Sequence, residues 1–189
     1  MKDGYAVVAG DTQLNDKNGA VDLTGIKVFP IDQKTVVGLV GDYGGHLQSI
    51  DLLRRRYTQE DGSFVEKTAT LYGLLKQYAE SFNGIVVTVD DKGVFYSILS
   101  DKEEWNSGIV KAKNGEVKVL IPPDVKEEYC YQFITSLTGL KNQAVSCIKA
   151  VGKVSNSVNE KVFGAEMTVH EVKYFTDGIK YEDIDVRIA

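Results

Sequence analysis

Few side chains in this chain are suited to chemistry. The two histidines, His46 and His170, stand far apart, and Cys130 and Cys147 lie at no spacing that gathers metal ligands. More informative is the run from Lys27 to Arg56, KVFPIDQKTVVGLVGDYGGHLQSIDLLRRR. Here a lysine precedes an apolar strand pattern, which turns through a glycine-rich loop into a helix pattern. Upstream, Asp11 closes another apolar stretch in VAGDTQ. Each residue has an ordinary reading when taken alone. Asp11 serves as a turn aspartate, Lys27 as a lysine guarding a strand edge, and Gly38 as a close-packing glycine inside a strand.

The elements that would position these residues follow from periodicity and turn signals. YAVVAGDTQ reads as a strand, and the KDG before it is a hairpin-turn signal. Residues 15–25 are polar and turn-rich, a loop or irregular ribbon. IKVFPI and KTVVGLVG read as paired strands, with Pro30 suited to an edge. Two helices are expected next, from His46 and from Val65, with Asp42 a candidate N-cap for the first. GIVVTVD and GVFYSIL form a hairpin, and Asn114-Gly115 marks another. A third helix follows Asp124, read as its N-cap, and a fourth spans about residues 142–158. AEMTVHEVKYF and IDVRI close the chain as strands. Strands, two helices, strands, two helices and strands do not make βαβ alternation. The order predicts an α+β fold, a four-layer αββα sandwich over one domain, residues 1–189.

Composition excludes some functions. The 189 residues are 43% hydrophobic and 26% charged, ordinary for a globular domain. A net charge of −5 leaves no basic excess to neutralise phosphates, which argues against a nucleic-acid partner. The basic run Arg54-Arg55-Arg56 ends a helix pattern, where it complements the helix dipole. No apolar run reaches membrane-spanning length and no signal peptide pattern precedes the first strand. A cytoplasmic location is expected, with Cys130 and Cys147 as buried free thiols.

The element order together with KDGYAVVAGDTQ, IKVFPI and VVGLVGD before a helix resembles the β-type subunits of the proteasome, which are N-terminal nucleophile (Ntn) hydrolases. The resemblance is strongest over residues 2–56. It implies a threonine-type endopeptidase of a self-compartmentalised assembly, with polypeptide substrates, homo- or hetero-oligomeric rings, and no cofactor or metal. In such a site an N-terminal threonine hydroxyl attacks the peptide carbonyl and its own α-amine is the base. Asp11 matches the family's acidic residue and Lys27 its lysine, an ammonium that favours the alkoxide while Asp11 compensates its charge. Gly38 matches the glycine whose N–H stabilises the oxyanion, and a side chain there would crowd the substrate.

The sequence departs from that pattern in three places. The position of the family's nucleophile falls upstream of Met1, and Thr12, being internal, cannot replace it. The Gly-Ser-Gly turn expected before the third helix reads VLIPPDVKEEYC, with Pro122 and Pro123 and no serine. After the fourth helix, VSNSVNEKVFG offers Ser155 or Ser157, while the expected acid is replaced by Asn156 or displaced. The alternatives are a non-catalytic structural ring subunit and an Ntn amidase acting on a non-protein amide.

Overall fold

A computed structural model describes residues 1, 4–16, 19–57, 62–122, 124–134 and 139–180. The described chain is α+β, with strands β1 (Tyr5–Asp11), β2 (Gln13–Asp16), β3 (Gly19–Thr24), β4 (Val28–Pro30) and β5 (Thr35–Gly41). Helices α1 (Tyr43–Arg56) and α2 (Phe64–Tyr78) follow, then β6 (Phe82–Asp90), β7 (Gly93–Ser100) and β8 (Val110–Lys111). The remainder is α3 (Glu127–Ile134), α4 (Leu140–Gly152), β9 (Val162–Thr168) and β10 (Val172–Asp177).

Two antiparallel sheets carry the architecture. One has the order β4-β5-β6-β7-β8 and the other β1-β9-β10, while β2 and β3 form a separate ribbon. Residues 35–39 of β5 are all buried, which is why TVVGL lacks the polar alternation of a half-solvated strand. Pro30 sits on edge strand β4, where its missing N–H costs nothing. The α1–α2 pair packs on β5 and β6, and the α3–α4 pair packs through α4 on β1 and β9. Strand β1 touches β4, β5, β6 and β7 of the larger sheet. Phe29, Leu39, Leu53, Leu71, Phe82, Leu99 and Met167 fill the core.

Local chemistry fixes the helix starts. Asp42 caps α1 through a bond from the Gly45 N–H, and its second oxygen takes the Glu80 N–H at 3.1 Å, tying the start of α1 to the end of α2. A Cβ on Gly45 would lie 2.4 Å from the Tyr78 carbonyl, so only glycine permits this helix crossing. Ser63 and Glu66 form a capping box at α2. At the end of α1, Arg54 goes beyond the dipole role expected of it and donates to the Pro30 carbonyl at 2.7 Å and 2.9 Å, joining α1 to β4.

Of the loop or irregular ribbon expected around residues 15–25, the structure forms the ribbon, β2 paired with β3 with a register shift between Gln13 and Leu14. Several expectations are corrected. Asn114-Gly115 does turn, but only β8 precedes it as a strand and residues 112–122 join no ladder. AEMTVHEVKYF is not one strand but the hairpin β9–β10. Asp124 directs its carboxylate to the turn after α4. IDVRI lies outside the described residues. Among the described residues, no helix is long and apolar enough to cross a membrane.

Candidate functional site

Asp11 is the last residue of β1, opposite Val162 of β9. Lys27 immediately precedes β4, and its carbonyl takes the Leu39 N–H at 2.8 Å, which locks its backbone to β5. The two strands thus hold the side chains face to face. The Lys27 ammonium donates to both oxygens of Asp11 at 2.9 Å, and both side chains are largely withdrawn from solvent, 15% and 9% exposed. Asp11 Oδ1 also accepts the Gln13 N–H at 2.8 Å. A Lys ammonium has three protons. Among the described residues Asp11 takes two, leaving one N–H for another acceptor.

Asp11, Lys27 and Gly38 all line a single cavity of about 200 Å³, whose remaining walls are mainly aliphatic. Gly38 lies inside β5, opposite Val28 on one side and Ile85 on the other. The Leu39 N–H points to the β4 side. Strand alternation therefore turns the Gly38 N–H toward β6 and into the sheet. The position contributes smallness, since a Cβ there would meet Val8 Cγ1 at 3.3 Å and Ile85 Cγ2 at 3.6 Å. The expected crowding by a side chain has a geometric basis, whereas an oxyanion-binding N–H does not.

A second polar cluster adjoins the end of β1. The Asp124 carboxylate accepts the Ser155 hydroxyl at 2.9 Å and 3.0 Å, and the Asn156 N–H at 3.2 Å. Ser155 and Ser157 exchange a further bond at 2.9 Å. The Ser155 hydroxyl, helped by the Asn156 N–H, holds the Asp124 carboxyl below the usual carboxylate range. The same loop meets the residues after Asp11. Gln13 Nε2 donates to the Asn156 carbonyl at 2.8 Å, and the Thr12 N–H donates to Asn159 at 3.3 Å. Hydrogen bonds therefore run from Asp11 through Gln13 and Asn156 to Asp124. Sequence reasoning looked for the acid after α4 and missed it, because it comes from the turn before α3, across the α3–α4 pair.

His46 on α1 is buried, and its Nε2 has no partner among the described residues. Burial pushes its pKa down to about 4, and the positive charge of Lys27 pushes the same way, so the imidazole is neutral at neutral pH. Cys130 and Cys147 are not joined in a disulfide; both are buried and part of the cavity wall. Burial raises the Cys147 thiol to about 12, which makes it a poor nucleophile. Among the described residues, no group of three or more His, Cys, Asp or Glu side chains is placed to hold a metal ion.

No protein-family model matches this chain, and no curated protein matches it.

Proposed function

We propose that the chain is a proteasome-like Ntn-hydrolase subunit of the four-layer αββα type, acting on peptide bonds in an oligomeric ring. The observation that carries this reading is the two-oxygen contact of Asp11 with Lys27 on the wall of a cavity that Gly38 also lines. The packing of one helix pair on β5 and β6, and of the other on β1 and β9, supports the layer order. In this reading the nucleophile is an N-terminal hydroxyl or thiol that residues 1–189 do not supply. The third Lys27 proton would bond to that oxygen and favour its anion, while Asp11 offsets the ammonium charge. The nucleophile adds to the carbonyl carbon, its proton passes to the adjacent α-amine and on to the leaving amine, and water then releases the acyl group. The Asp124–Ser155–Ser157 cluster would steady the loop beside Asp11.

The test is the intact mass and N-terminal sequence of the protein made from its native gene with upstream DNA in place. A threonine, serine or cysteine terminus about six to eight residues before Lys2, one strand length, is the expected result. A terminus at Met1 would overturn the enzymatic reading and favour the non-catalytic ring subunit.

A further inference from the structure

We propose that Tyr43 is a positioning residue for Lys27, the side chain whose ammonium the hydrolase reading places beside the nucleophile. Its consequence for catalysis rests on that reading; the positioning itself rests only on how the segment before β4 is held. Residues 25–27 lie between β3 and β4 and belong to neither strand. Three consecutive backbone groups tie them down instead. The Gly25 N–H donates to the carbonyl of Thr12, the residue after Asp11, at 2.9 Å. The Ile26 N–H donates to the Tyr43 hydroxyl at 3.2 Å. The Lys27 carbonyl accepts the Leu39 N–H at 2.8 Å.

Of these three bonds, the middle one is made by a side chain. Ile26 is 5% exposed, and a buried N–H left without a partner is costly. Among the described residues, the Tyr43 hydroxyl is its acceptor. Removing that oxygen leaves either an orphaned donor next to Lys27 or a backbone shifted toward another acceptor. Either outcome loosens the chain from which the Lys27 side chain reaches Asp11. The Tyr43 ring also packs against Phe29, with centroids 6.5 Å apart, so the one side chain holds the backbone on both sides of Lys27. Tyr43 is itself well anchored as the first residue of α1. The Asp42 N–H before it donates to the Ser81 carbonyl at 2.8 Å, and the Asp42 carboxylate caps α1 and takes the Glu80 N–H. Packing of the helix pair thereby reaches the Lys27–Asp11 contact. Asp11, by contrast, is set by β1 and by the Gln13 N–H, so a change at Tyr43 acts on the lysine alone.

The test is Tyr43→Phe in the full chain, which keeps the ring and deletes the hydroxyl. It is read by amide hydrogen exchange and by reductive methylation with formaldehyde and cyanoborohydride, followed by peptide mapping. Exchange at the Ile26 amide should rise about tenfold and methylation of Lys27 about fivefold, with Lys67 unchanged. Lys67 is the control, because its ammonium is paired with Asp32 at 2.8 Å and is 6% exposed. A general loosening of the fold would raise both lysines together. Equal acceleration at Lys27 and Lys67, or no change at Ile26 or at Lys27, would overturn the proposal. If the variant does not fold, exchange in the unaltered chain decides: the Ile26 amide should be slowed about a hundredfold relative to an open peptide, and free exchange there overturns it. None of these readouts requires catalysis. A failed peptidase assay would strike the hydrolase reading alone, and a failed exchange or methylation result would strike Tyr43 alone.

Discussion

Two lysine–aspartate pairs in this molecule look alike and sit in different surroundings. Lys27–Asp11 and Lys67–Asp32 have contacts of 2.9 Å and 2.8 Å, and in both the side chains are mostly hidden from solvent. Lys67 of α2 reaches into the turn between β4 and β5, pinning that hairpin under the helix, and neither partner lines the cavity. Lys27 and Asp11 lie on the cavity wall. The lesson is that charge pairing by itself does not mark a site. A buried pair sealed by packing is structural, and the same pair facing open space can act on something that enters it.

The comparison can be broken by stability. Lys67→Met leaves Asp32 buried without its counter-charge and should destabilise by about 3–5 kcal/mol in chemical denaturation. Each aspartate keeps one backbone N–H bond, from Gln13 or from Lys34. Lys27→Met should still cost less, under about 2 kcal/mol, because only Asp11 borders the cavity, which admits water in place of the ammonium. Equal costs would remove the distinction drawn between the two pairs.

An acid titration gives the next largest effect. The pKa of His46 is about 4 in the folded chain, below the ordinary value of 6.5. The unfolded chain therefore binds this proton first. The stability linked to His46 is complete above pH 6.5 and is lost as the pH falls toward 4, about 3 kcal/mol over that window. His46→Gln should flatten that part of the profile, and an unchanged slope would show that other groups dominate. Gly38→Val comes last, at about 1–3 kcal/mol from overpacking against Val8 and Ile85. Its thermal shift should be accompanied by loss of cavity volume in a crystal structure; retention of the full volume would contradict the packing role assigned to Gly38.

Much of the fold was legible because its signals are local. The apolar run of β5, the β6–β7 hairpin, the Asp42 cap and Pro30 at an edge all rest on residues within a few positions of one another. What stayed hidden depends on partners distant in the chain. Lys67 and Asp32 are 35 positions apart, and Ser155 and Asp124 are 31 apart, with no motif joining either pair. Asp124 was read as a helix cap because an aspartate before an apolar stretch is locally indistinguishable from one. Its real partners arrive only when α4 packs against α3. The Asp11–Lys27 contact was named through the resemblance of the surrounding motifs, since a Gly-Asp turn and a strand lysine carry no pairing information alone. The Gly38 N–H was misread because the direction of a backbone group depends on strand register, which the sequence leaves open.

The most direct measurement is covalent capture by a peptide epoxyketone, which reacts with an N-terminal nucleophile through both its hydroxyl and its amine. The protein from the native gene, its Lys27→Ala variant and its Lys67→Met variant would be treated alike and read by intact mass and peptide mapping. The account predicts one adduct at the N-terminal residue, lost or slowed at least a hundredfold in Lys27→Ala and retained in folded Lys67→Met. An adduct formed equally fast without Lys27, or no adduct in the unaltered protein, would contradict it.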